Sequence, residues 1–96
     1  MVWKEQAPGM RMKNIWEDKA TGRRLVLGQL DPSATVPRHR HIGDELVYVI
    51  EGSISDAGGE VTPGSMSDRP PGCVHEITTR NGATVLAMIW GSSEPA

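Results

Sequence analysis

The sequence has no phenylalanine and a single cysteine, Cys73. One cysteine cannot close an internal disulfide, so no stapled scaffold holds this chain and its core has to come from apolar packing. Long apolar runs are missing as well. The longest, Val85 to Trp90, is six residues, whereas a membrane-spanning helix needs about 20. Neither charge is in marked excess: 10 Lys and Arg oppose 12 Asp and Glu, a formal net charge of -2. That balance gives no electrostatic reason to expect nucleic acid or an anionic membrane as a partner. The opening residues, Met1 to Gln6, lack the apolar stretch of a secretory signal, so a cytoplasmic location is expected. Helical periodicity is absent too, since no window spaces its apolar residues at three and four over a helical length.

What is present reads as strands and turns. A chain of 96 residues fits one domain over 1–96, with a modest core. Its 11 Gly and 7 Pro suit many short turns. Strand patterns run over Arg24–Leu30, Glu45–Ile50, Ser53–Ser55, a segment through Met66, Val74–Thr79 and Thr84–Trp90. Met10–Glu17 adds another within an N-terminal strand segment, 1–20. Turn signals at Asp31-Pro32, Asp56-Ala57-Gly58-Gly59, Pro70-Pro71-Gly72 and Asn81-Gly82 separate them. Ser92 to Ala96 reads as a frayed tail. Short strands with regular turns predict an all-β fold, a small antiparallel barrel or sandwich.

The chain has three histidines, His39, His41 and His75. On an extended strand the side-chain period is 2, so His39 and His41 point to one side. Glu45 has the same parity, across a Gly43 that can break the strand and let the next one bring its carboxylate back. His75 follows the sharp Pro70-Pro71-Gly72 turn. Three imidazoles and a carboxylate form a mixed nitrogen and oxygen set suited to one divalent transition metal, Fe, Mn, Ni, Zn or Cu. A six-coordinate ion held this way keeps two positions open. Val47, Met66 and Ile77 share parity with nearby ligands and are candidate pocket walls, or else ordinary core. No Lys, Arg or Asp stands out as a second catalytic group. Cys73 is a turn residue, a supporting thiol or a metal contact. Arg38 and Arg40 alternate with the histidines and should point away from them, Tyr48 reads as barrel packing, and Trp3 and Trp16 as packing or dimer contacts.

The stretch His39-Arg40-His41, three residues, Glu45, six residues, Gly52 resembles the first motif of the cupins. Gly64, five residues, Pro70, one residue, Gly72, two residues, His75 resembles the second. More narrowly, the chain looks like the cupin module of the ChrR type. Trp3 with Pro8-Gly9, Pro37-Arg38-His39-Arg40-His41, Glu51 to Asp56 and Arg69-Pro70-Pro71-Gly72 carry that likeness. The resemblance implies a small jelly-roll barrel with His39, His41, Glu45 and His75 as metal ligands. One departure stands at Thr79, where the second motif usually has Asn. The anti-sigma activity of ChrR resides in a separate zinc domain and is not implied. Two functions follow from the likeness. One is a metal-dependent oxygenase (a dioxygenase) acting on a small diketone or phenolic ketone; the other is a non-catalytic metal-bound sensing module. A sugar isomerase or epimerase would need acid and base partners that the pattern does not supply. Apolar strand faces and edges left by so short a barrel predict a homodimer.

Overall fold

The computed structural model describes residues 3–91 and 93–95. Among them there is no helix, hence none long and apolar enough to cross a membrane. Eleven strands follow in order: β1 Lys4–Ala7, β2 Met10–Asp18, β3 Arg23–Leu30, β4 Thr35–His41, β5 Glu45–Gly52, β6 Ile54–Asp56, β7 Gly59–Val61, β8 Met66–Arg69, β9 Val74–Thr78, β10 Ala83–Trp90 and β11 Ser93–Pro95. They form two antiparallel sheets, one of order β1-β2-β3-β10-β5-β8 and one of order β11-β4-β9-β6-β7. From β3 to β6, and again from β7 to β11, each successive strand changes sheet. The two sheets are thereby laced together, as the expected antiparallel jelly-roll architecture requires.

The core lies between the sheets. It joins Val26, Val49 and Val85 of the larger sheet to Ile54 and Ile77 of the smaller one. Val49 is wholly buried and Val26 nearly so. Each such side chain contributes about 1.5–3 kcal/mol by leaving water, which is how a chain without Phe or disulfides sustains its fold. β10 alternates strictly: Ala83, Val85, Ala87 and Ile89 are buried, and the residues between them are half-buried. Asn81-Gly82 turns the chain into β10, with Gly82 at φ +89°.

Three short strands lie outside the patterns read from sequence. β1 and β7 are only 4 and 3 residues long. The third corrects the expected frayed tail: Ser93–Pro95 pair with β4, opposite His41, Arg40 and His39. β4 would otherwise be an edge with unsatisfied backbone groups, and pairing is favourable whatever the side chains are. Ser92 and Ala96 lie outside the described residues.

Candidate metal centre

β4 and β9 run side by side with His39 directly opposite His75. The ladder continues into the Pro70-Pro71-Gly72 turn. The His41 N–H donates to the Cys73 carbonyl at 2.9 Å, and the Gly72 N–H donates to the His41 carbonyl at 2.8 Å. Cys73 itself donates from its backbone to the Pro70 carbonyl at 3.1 Å, so it closes that turn. All three histidines thus come from the smaller sheet. Glu45 comes from the larger one, as the first residue of β5.

Gly43 makes that return possible. A Cβ at this position would lie 2.1 Å from the Trp90 carbonyl oxygen. The same linker is pinned by the Trp90 N–H, which donates to the Asp44 carbonyl at 2.9 Å. Only glycine allows the link between β4 and β5 to lie this close to the end of β10, and the close approach sets where β5 begins.

The side chains converge at one point. Nε2 of His41 is 3.1 Å from Nε2 of His39 and 2.7 Å from Nε2 of His75, and the last two are 2.9 Å apart. Glu45 Oε1 lies 3.1 Å from His41 Nε2. His41, Glu45 and His75 are buried. Two donors bound at about 2.05 Å and at right angles to one another stand about 2.9 Å apart. The three nitrogens therefore have the separations of neighbouring ligands around one ion, and the set fits a borderline divalent metal.

Their protonation agrees in part. His39 Nδ1 lies 2.7 Å from the Pro37 carbonyl. It can only donate there, which leaves Nε2 bare for a metal, the usual role of such an outer contact. Burial, the charge of Arg69 and the neighbouring rings push the His75 imidazole down to about 4, against the pull of Glu45. His75 is therefore neutral at pH 7, the form that ligates. Arg69 Nη1 donates to His75 Nδ1. This contact competes with the tautomer a metal would need, in which Nδ1 carries the proton and Nε2 is bare.

Arg69 is the principal residue that sequence reasoning missed. It is buried, lies directly opposite Glu45 on β8, and its Nε is 3.9 Å from Glu45 Oε1. Its Nη1 donates to Asp56 Oδ2 at 2.5 Å. Burial alone would raise the Asp56 carboxyl. The hydrogen bonds from Arg69 and from the Gly58 N–H, with the charge of Arg69, hold it below its ordinary value instead. The sequence singled out no Lys, Arg or Asp as a second catalytic group; the structure sets Arg69 and Asp56 beside the ligands as an ion pair. The missed signal was parity on β8, where Arg69 falls on the side of Ser67 rather than of Met66.

The same register corrects a second expectation. Met66 pairs with Tyr48 and is 59% exposed, so it lies on the outer face and is not a pocket wall. Tyr48 is also exposed rather than packed within the barrel. Val47 and Ile77 are buried core residues that also line a cavity of about 380 Å³. Val26, Ile54 and Val85 extend its apolar wall. His39, His41 and Glu45 sit on this cavity together with Gln6, Arg24 and Arg38. Thr79 is buried and donates through Oγ1 to the Ser53 carbonyl at 2.7 Å, so it ties β9 to β6 away from the ligands. Trp16 is exposed beside Arg23, and Trp3 lies under the Lys13 ammonium.

A family model described as the ChrR Cupin-like domain matches residues 1–92. No curated protein matches the chain in sequence. Solved structures share its fold at low identity. A protein of unknown function with a cupin-like fold from Ralstonia eutropha is 24% identical, with a TM-score of 0.80, over 88% of this chain and 57% of that one. The complex of SigE with the anti-sigma ChrR from Rhodobacter sphaeroides gives 20% identity and a TM-score of 0.83, over 93% of this chain and 48% of that one. An acetylacetone dioxygenase from Acinetobacter johnsonii gives 12% and 0.86, over 95% and 69%. This chain therefore spans roughly half the length of the first two, and at these identities the likeness is one of fold.

Proposed function

Since this chain belongs to the ChrR cupin-like domain family, we propose that it holds one divalent transition metal and acts as an oxygenase on a small diketone or phenolic ketone. The observation that carries the reading is the convergence of three imidazole nitrogens on one point at a wall of an apolar cavity. His39, His41 and His75 supply nitrogen donors, and Glu45 supplies the carboxylate that lowers the net charge of the site. When bound, the metal provides a Lewis acid with positions left for exchangeable ligands. The chain's own contribution is to orient and to exclude water. The Pro37 carbonyl fixes His39, Arg69 pairs with Asp56 behind the ligands, and the walls Val26, Val47 and Ile77 desolvate whatever lies against the ligands.

The likeness to the ChrR complex supports a second reading, a metal-bound sensing module without turnover. Sugar isomerisation has less support. Beside Glu45, the described residues around the cavity include no second carboxylate, Lys or Tyr to serve as acid and base. The outer face of the larger sheet, where Tyr48, Ile50 and Met66 are exposed, supports assembly as a homodimer.

Elemental analysis of the protein purified without added metal tests the centre. About one equivalent of a transition metal, lost in His75→Ala, is the expected result. Absence of metal both as purified and after reconstitution would sink the reading. Iron or manganese favours the oxygenase, checked by oxygen uptake with diketones and phenolic ketones; tightly held zinc favours the sensing module.

A further inference from the structure

A row of inward-facing residues crosses the larger sheet at the end that carries the ligands. Arg24 of β3 stands opposite Ile89 of β10, Ile89 opposite Glu45 of β5, and Glu45 opposite Arg69 of β8. Arg24, Ile89 and Glu45 all line the cavity. Adjacent strands lie about 4.8 Å apart, so Arg24 starts about 10 Å from Glu45 across the sheet, within the reach of a guanidinium and a small ligand between them.

The two arginines of this row differ. Arg69 is paired with Asp56 and lies near Glu45. Arg24 forms no ion pair among the described residues. Its direct partner on β2, Glu17, is exposed and forms no ion pair with it. Its Nε is buried with no hydrogen-bond partner, as is that of Arg69, so what sets Arg24 apart is that no carboxylate pairs with its guanidinium. A guanidinium at an apolar cavity with a desolvated, unmatched N–H is costly unless an acceptor completes it. The planar fork of Arg matches a carboxylate in two parallel hydrogen bonds. The cavity holds one carboxylate, Glu45, which His41 and Arg69 already engage. Of the other polar lining residues, Gln6 and Arg38 are exposed, whereas Val26, Val47, Ile54, Ile77 and Val85 make a hydrocarbon wall.

We infer that Arg24 binds the carboxylate of a small organic acid whose apolar body fills the cavity and whose oxo group faces the three histidines. The inference rests on the metal-centre reading for the oxo group. It narrows the ligand from small ketones in general to oxo carboxylates. Arg24 is then the residue that sets specificity, while the histidines and Glu45 hold the oxo end.

The test compares two probes of nearly equal shape, 4-oxo-4-phenylbutanoate and its uncharged counterpart 1-phenylpentane-1,4-dione. Binding is measured by calorimetry on the full chain loaded with zinc, so that no turnover intervenes. Arg24→Leu is expected to weaken the carboxylate about ten-fold or more, the scale of a charge-assisted hydrogen bond, and the dione less than two-fold. Arg24→Lys restores part of the carboxylate affinity. Zinc content stays at one equivalent in both variants. Equal loss for the two probes, or no loss for either, would overturn the inference. If Arg24→Leu does not fold, Arg24→Gln carries the same comparison. If the wild-type protein takes up no zinc, the metal-centre reading fails by itself. The two probes are then compared on the metal-free protein, where a carboxylate preference removed by Arg24→Leu still supports the role of Arg24, and its absence refutes it.

Discussion

The two faces of the larger sheet are built from the same strands and are both apolar, yet they do different work. The inner face uses small or branched residues: Val26, Val47, Val49, Val85, Ala87 and Ile89 are all buried. The outer face carries larger ones in two rows across the strands. Leu25, Met88 and Leu46 form one; Leu27, Leu86, Tyr48 and Met66 form the other. These side chains are half-buried or exposed. The inner face stays slender enough to leave a cavity of about 380 Å³ and confines its charges to one row at one end. The outer face has bulk without concavity. Volume and register, not hydrophobicity, separate the cavity face from the outer face.

Neighbouring residues give the sharpest way to break this contrast. Val49 is fully buried, and Ile50, next to it, is 47% exposed on the opposite face. Val49→Asp buries an unpaired carboxylate at a cost of several kcal/mol, comparable with the whole stability of a small domain. Its cooperative thermal transition in circular dichroism should vanish. Ile50→Asp should shift stability by less than about 1 kcal/mol. A cooperative melt retained by Val49→Asp would mean that the inner face is not the core. A smaller effect is expected at Arg69. Arg69→Met leaves the Asp56 and Glu45 carboxylates without their shared cation and should cost about 3 kcal/mol in urea denaturation, part of it recovered by adding Asp56→Asn. No recovery would show that Arg69 acts by packing alone. The smallest effect on stability, within about 0.5 kcal/mol, is expected for Tyr48→Lys with Leu86→Lys. There the readout is mass by light scattering at micromolar concentration. The wild type should be a dimer and the double variant a monomer; a monomeric wild type would rule out docking through this face.

The contrast between faces also explains what was legible in the sequence. Strands β3, β5 and β10 announce themselves because their residues are β-branched or apolar and bounded by turns. The candidate ligand set was legible because spacing within one strand fixes a common side for His39 and His41, and because the resemblance to the cupin motifs adds Glu45 and His75. Met66 was misplaced for the complementary reason. Both faces of β8 and β5 accept apolar residues, so hydropathy carries no sign of inside or outside, and the pairing of Met66 with Tyr48 decides. Arg24 and Arg69 were missed because the row that joins them to Glu45 exists only across strands. β11 was missed because its gain is backbone pairing along β4, to which Ser-Glu-Pro adds no pattern.

The pairing of His39 with His75 has a consequence in time. These ligands stand on strands brought together across 36 residues of chain, and Glu45 arrives from the other sheet. His39, His41 and Glu45 lie close in the chain, but no local segment brings His75 to them. Contacts of such long range form late and slowly. A metal ion bound here would therefore enter a structure already made rather than seed it as in a zinc finger, and its uptake would serve as a clock for the completed topology.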